Sequence, residues 1–181
     1  LIKEGHVLDP ETQRDEICDV LIDGDRITKV ECGIETEAER IIEAKGCYIM
    51  PGFIDLHVHF RDPGLEYKET LTTGGRAAVK GGVTTVCAMP NTKPVIDNGV
   101  KVKEVMERAK RESLTNVIQL GAVTVAQEGK ELADIRGMAG NGCHAISEDG
   151  KSVMNASLYR KGMKAAKEEG IAVFAHCEDI T

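Results

Sequence analysis

Apolar and polar residues alternate along this chain in two rhythms, and the rhythm changes near residue 50. In "DVLIDGDRITKVE" (19–31) apolar and polar positions alternate on either side of Asp23-Gly24, a hairpin signal. "ERIIEAKGCYIMPG" (39–52) continues in short apolar runs broken by Gly and Pro. Residues 1–50 therefore predict a small β-rich segment, part of a composite β domain. Beyond it, strands are predicted at 52–59, 83–89, 116–124, 143–147 and 171–177. Helical patterns lie between them at 67–82, 100–113, 129–140 and 156–170, the first despite Gly74 and Gly75.

Strands that alternate with helices build βαβ units and a parallel sheet. "VTTVCAM" and "IAVFAHC" are almost continuously apolar, as parallel strands buried on both faces should be. No G-x-G-x-x-G or Walker motif follows any strand, which weakens a nucleotide-binding doubly wound sheet. The fold class predicted is α/β, with the first five βα units of a (β/α)8 barrel over residues 51–181. Such a barrel needs about 250 residues, so the barrel is expected to be incomplete within this chain.

Composition narrows the function classes. The net charge is −7 over 181 residues, which argues against general nucleic-acid or anionic-membrane binding, since both need a basic face. No apolar run approaches the ~18 residues of a transmembrane helix, and "LIKEGHVLDP" lacks the charged-then-apolar order of a signal peptide. The six cysteines are scattered with no C-x-x-C pair. That usage suits reduced thiols in a cytoplasmic protein better than a disulfide framework or a structural zinc site. Only 3% of residues are aromatic, so the core must be aliphatic.

The densest chemistry lies in "DLHVHFRDPG" (55–64). Residues two apart on a strand share a face, so His57 and His59 project together, roughly 7 Å apart at Cα. Two imidazoles so placed can reach one metal ion at about 2 Å. Asp55 and Arg61 share their parity, whereas Leu56 and Val58 face the opposite way, toward packed helices. A bare H-x-H is equally a pair of hydrogen-bonded core histidines. Position shifts the balance, because barrel enzymes place catalytic groups at the carboxyl ends of strands. Other polar residues reach such ends: Asn91 in "AMPNTKP", Glu148 and Asp149 in "ISEDGKS", and His176 with Glu178 and Asp179. If Asp149 faces the lumen, Ser147, Ala145 and Cys143 do too, and Glu148 faces away. If His176 faces inward, so does Phe174. Each has a plainer reading as well: Asp149-Gly150 as a turn, Asn91 as a loop cap, His176 as a satisfied core histidine. His6 and His144 match no motif and read as structural or surface residues.

Taken together, "PGFIDLHVHFRDPG", "GGVTTVCAMPNTKPVID" and "HCED" resemble the dihydroorotases of the amidohydrolase superfamily. The resemblance implies that His57 and His59 bind zinc, and that Arg61 and Asn91 hold the substrate's α-carboxylate. A guanidinium fork suits that group. No lysine occupies the end of the fourth strand, where many amidohydrolases carry a carboxylated one. "SEDG" is similar to the branch with aspartate in that role, which implies Asp149 as a ligand and His176 as the next. A further metal-binding histidine and the proton-moving aspartate are expected beyond Thr181, so no catalytic acid–base residue is expected within the chain. The implied activity is zinc-dependent interconversion of N-carbamoyl-L-aspartate and L-dihydroorotate in de novo pyrimidine biosynthesis, with one or two Zn2+ ions. The implied partners are that small-molecule substrate, a second copy in a homodimer, and aspartate transcarbamoylase. The rivals are another cyclic amidase (allantoinase or dihydropyrimidinase type), a non-catalytic dihydroorotase-like partner of the transcarbamoylase, and a free-standing five-stranded α/β protein.

Overall fold

The computed structural model describes residues 1–179. The chain forms two compact units, Leu1–Gly52 and Phe53–Thr181. In the first, β1 (Ile2–Asp9), β2 (Arg14–Asp23) and β3 (Arg26–Glu31) pair antiparallel in sequence order. Gly24, at φ +60°, supplies the left-handed residue of the β2–β3 turn. The short strands β4 (Ile42–Glu43) and β5 (Tyr48–Ile49) run parallel to β1. Val7, Cys18 and Val20 form the buried cluster of this unit. Asp19 is buried as well. Its carboxylate accepts the N–H groups of Glu4 and Ile34, both at 2.8 Å, and pairs with Lys3 Nζ at 3.3 Å. The Glu4 N–H is the largest of the influences that hold this carboxyl below its ordinary value. It belongs to the irregular stretch of β1 between Ile2 and Gly5, so Asp19 satisfies a donor that the ladder leaves over.

The second unit alternates strand and helix. In order come β6 (Phe53–Val58), α1 (Leu71–Lys80), β7 (Val83–Ala88), α2 (Gly99–Glu112), β8 (Asn116–Gln119), β9 (Gly121–Ala122), α3 (Ile135–Gly140), β10 (Ala145–Ser147), α4 (Ala156–Glu168) and β11 (Ala172–Phe174). The pairs β6–β7, β7–β8, β9–β10 and β10–β11 are all parallel. β8 and β9 are one strand interrupted at Leu120, its first half bonded to β7 and its second to β10. Alternation along β7 separates two apolar clusters. Val86 joins the large cluster with helix residues such as Val102, Val105 and Met138. Cys87 joins Met89, Leu120 and Ala145, with Phe174 packed against them. No helix among the described residues is long and apolar enough to cross a membrane.

Local chemistry explains where the elements depart from the periodic reading. α1 starts at Leu71 and not 67, because Thr70 accepts the Thr73 N–H while the Thr73 hydroxyl accepts the Thr70 N–H, a capping box. α3 starts at Ile135 and not 129, behind Asp134, whose side chain accepts the Gly137 N–H at 2.9 Å. Leu56 is a correction to the parity argument. It is 57% exposed, while Val58 packs against the helix-side cluster. Among the described residues β6 pairs with β7 only, and the register slips between Asp55 and Val58, which breaks the alternation at Leu56.

The two glycines inside α1 are packing residues. A Cβ at Gly74 would lie 2.4 Å from Phe60 Cε1, and one at Gly75 would lie 2.4 Å from Ser113 Oγ. Helix propensity favours Ala over Gly by about 1 kcal/mol, but overpacking a core costs about 1–3 kcal/mol. Gly74→Ala is therefore expected to lower stability by about 1 kcal/mol in urea denaturation. A variant more stable than the parent would show that the Phe60 ring moves aside freely.

Candidate functional site

Three strand ends deliver polar side chains to a carboxylate at a fourth. His57 lies in β6 and His59 just past it, their rings 5.1 Å apart between centroids. Asp149 follows β10, Asn91 follows β7, and His176 follows β11. His57 Nε2 is 3.1 Å from Asp149 Oδ1, and His59 Nε2 is 3.4 Å from Oδ2. His176 Nδ1 is 3.3 Å from Oδ1. Asp149 is only 4% exposed.

Asn91 ties two of these residues together. Its Nδ2 donates to Asp149 Oδ2 at 2.9 Å and to the Asp149 carbonyl at 3.3 Å. Its Oδ1 lies 3.1 Å from His59 Nδ1. The two acceptors on Asp149 settle which end of the amide is nitrogen. An amide oxygen only accepts, so His59 Nδ1 carries a proton, and Nε2 is the nitrogen that faces Asp149.

Ligand atoms of His57, His59 and Asp149 all lie within 4.8 Å of one another. Tetrahedral ligation at about 2.1 Å separates neighbouring ligand atoms by about 3.4 Å, close to the imidazole–carboxylate distances here. Imidazole nitrogen and carboxylate oxygen are suitable donors for a divalent transition ion. His176 reaches Asp149 but lies outside that group of three, and its Nε2 is 2.9 Å from Glu178 Oε2.

The neighbouring carboxylate points elsewhere. Glu148 accepts the N–H groups of Val123 and Thr124 at 2.9 and 3.1 Å, and the Thr124 hydroxyl donates to it as well. Burial pushes the Glu148 carboxyl above its ordinary value, against the lowering by those donors. Arg61 has a left-handed backbone, φ +61°. Among the described residues no hydrogen bond or ion pair engages its guanidinium. The next residue, Asp62, is buried and gripped by Arg108 of α2 at 2.7 and 3.1 Å. It also accepts the Leu71 N–H that opens α1, at 3.3 Å. Glu112 and Asp62 together hold Arg108 protonated, well above its ordinary value. The Lys93 N–H donates to the Pro63 carbonyl at 2.9 Å, joining the loops after β6 and β7. Away from these residues, His6 pairs with Asp15, and His144 is exposed.

Sequence reasoning did not single out Arg108, Asp62 or Gln127, whose Nε2 donates to the Asp149 carbonyl at 3.1 Å. The "RDPG" turn carried a faint signal for Asp62. Gln127, in "TVAQEG", carried none.

The family profile described as dihydro-orotase-like matches residues 46–181. The chain belongs to the dihydro-orotase-like family. It is 44% identical over 181 residues to a dihydroorotase of Trichlorobacter lovleyi, covering 99% of this chain and 43% of that protein. It is 41% identical over 179 residues to a dihydroorotase of Aquifex aeolicus, covering 99% of this chain and 42% of the relative. The chain thus spans less than half the length of these family members. Among solved structures, an L-hydantoinase (dihydropyrimidinase) from Arthrobacter aurescens superposes with a TM-score of 0.83 over 98% of this chain and 40% of that one, at 21% identity. At that identity the likeness concerns the α/β fold alone.

Glu148 provides a test of this geometry in metal-free protein. A folded-state value above the unfolded one means that stability falls as pH rises from the ordinary carboxyl range through the raised folded value. Gln keeps an acceptor for the two N–H groups and does not titrate. Glu148→Gln is expected to lose this decline in urea denaturation between pH 4 and 8 with chelator present. Parallel pH profiles for variant and parent would contradict the burial argument.

Proposed function

We propose that this chain is the part of a dihydroorotase that carries its first metal ligands and its substrate-carboxylate clamp, acting in the cytoplasm on N-carbamoyl-L-aspartate and L-dihydroorotate. The observation that carries this reading is the convergence of His57 and His59 on Asp149, in a chain 44% identical to a protein named dihydroorotase. The second unit is read as the first five βα units of a (β/α)8 barrel, and residues 1–50 as part of a composite β domain.

His57 and His59 would hold a zinc ion through Nε2, Asp149 through its carboxylate, and His176 would complete the set. When bound, the ion would lower the pKa of water toward about 7 and polarise the amide carbonyl under attack. The residues of this chain prepare that chemistry. Asn91 keeps the His59 proton on Nδ1, so that Nε2 is available. Asp149 brings the negative charge that favours a dication, while Glu148 is occupied elsewhere and does not compete. Arg61 supports the substrate's α-carboxylate with a guanidinium that has no other partner among the described residues. Asn91 would join it by exchanging one of its present bonds. The proton-moving aspartate is assigned to the length that family members have beyond this chain.

Hydantoinase-type activity is the second reading, since the Arthrobacter enzyme shares this fold. Turnover of dihydroorotate against dihydrouracil by the full-length protein decides between the two.

In that protein, His57→Ala and His59→Ala are each expected to remove at least half of the bound zinc, measured by elemental analysis. Wild-type zinc content in both would refute the ligand assignment. Asp149→Asn keeps size and removes charge, and activity should fall at least about tenfold.

Arg61→Ala should keep its zinc and lose about a hundredfold in kcat/KM for dihydroorotate, the scale of one charge-assisted fork. Arg61→Lys should recover only part, since an ammonium cannot reproduce bidentate geometry. Unchanged kinetics in the Ala variant would sink the carboxylate role.

A further inference from the structure

The turn after β9 carries strain without a glycine at the strained positions. Ala126 and Gln127 are consecutive left-handed residues, at φ +51° and +54°. Residues with a Cβ adopt this backbone at a cost, and they hold it only where their surroundings over-determine it. Asp97 Oδ2 accepts the Ala126 N–H at 3.0 Å, and Asp97 is itself fixed by Lys101 Nζ at 2.7 Å. The Gln127 N–H donates to the Thr124 carbonyl at 3.1 Å.

What the strained turn delivers is one buried amide. Gln127 is 4% exposed, and its Nε2 lies 3.1 Å from the carbonyl of Asp149, 22 residues away. That carbonyl also accepts from Asn91, and the Asp149 N–H donates to Ser147 Oγ at 3.2 Å. Both faces of the Asp149 backbone are therefore fixed, in a short segment between β10 and the left-handed Gly150 (φ +81°). A carboxylate must be held within about 0.5 Å of its productive position to serve a cation, and neighbouring hydrogen bonds do that holding.

We infer that Gln127 is a positioning residue for the metal site: by clamping the Asp149 carbonyl, it sets the direction in which the Asp149 carboxylate meets the cation. This rests on the proposed role of Asp149 as a ligand. The left-handed turn is the backbone from which the Gln127 side chain reaches Asp149. Glycine at 126 or 127 would relax the backbone, and at 127 it would also lose the amide.

The test uses the full-length protein, with zinc affinity read by competition with a chromophoric chelator. Gln127→Gly and Gln127→Met are each expected to weaken zinc about tenfold to a hundredfold, and to shift the visible bands of the cobalt-substituted protein. Melting temperature in chelator should be unchanged or higher for the Gly variant, since glycine suits φ above zero. Ala126→Gly keeps every bond named here and should keep wild-type zinc affinity. Wild-type affinity in both Gln127 variants overturns the inference. So does zinc loss accompanied by an equal collapse of melting temperature in chelator, which marks a merely structural role. Asp149→Asn is measured alongside. If it binds zinc like the parent, the ligand reading itself fails. If it loses zinc while the Gln127 variants do not, only the clamp fails.

Discussion

The imidazoles at the carboxyl ends of these strands gather around a buried carboxylate that, among the described residues, has no lysine or arginine beside it. Burying a carboxylate is costly unless it is paired, and this chain pairs its other buried aspartates with lysine or arginine. Asp19 has Lys3, Asp62 has Arg108, and Asp97 has Lys101. Asp149 is as buried as these, yet among the described residues its side-chain neighbours are three imidazoles and one amide. The Asn91–His59 bond places a proton on His59 Nδ1 and leaves Nε2 as the nitrogen that faces Asp149. Ligand atoms of His57, His59 and Asp149 thus gather within 4.8 Å of one another, a donor set suited to a cation.

The supports around that anion divide into those that hold Asp149 and those that hold the loops beside it. Asn91, Gln127 and Ser147 fix the aspartate directly. Glu148 fastens the end of β10 to the turn after β9, so the segment that carries Gln127 and the one that carries Asp149 are bonded both through Glu148 and through the Gln127 amide. On the other side, Arg108 grips Asp62 and so anchors the residue next to Arg61. Gly64, at φ +87°, lets that loop lie against the next, where a Cβ would meet the Lys93 carbonyl oxygen at 1.8 Å. Ion pairs of this kind add little net stability. Their consequence here is geometric, because they set where the chain leaves each strand.

Periodicity reveals direction, and direction was legible. The pairing of His57 with His59 and the opposition of Asp149 to Glu148 both follow from a repeat of two, as does the placing of Phe174 with Ala145. Alternating strands and helices revealed the parallel α/β order. Periodicity does not reveal what lies opposite. Leu56 is exposed where a repeat of two expects it covered, and the β6–β7 register slips between Asp55 and Val58, a break that the repeat does not announce. Arg108 meets Asp62 across 46 residues, and Gln127 meets Asp149 across 22. No local pattern encodes such pairs. The break at Leu120 was equally hidden, since a strand whose halves pair with different neighbours has the same apolar content as a continuous one.

The distinction between dihydroorotase and hydantoinase chemistry lies outside the fold, which both readings share. It lies in what the substrate carries besides its cyclic amide. Dihydroorotate has a carboxylate on the ring, whereas a hydantoin or a dihydropyrimidine has none of necessity. A half-buried guanidinium two residues beyond His59, with no side-chain partner among the described residues, is free to meet an anionic group. Its neighbour Asp62 could have served, but Arg108 already occupies both of its oxygens. The Asp62–Arg108 pair thus does two things at once. It anchors the loop, and it keeps Asp62 from Arg61, so that the guanidinium stays available to a ligand. A substrate that carries a carboxylate gives that guanidinium a partner, and on this ground the proposed dihydroorotase reading is preferred to a hydantoinase one.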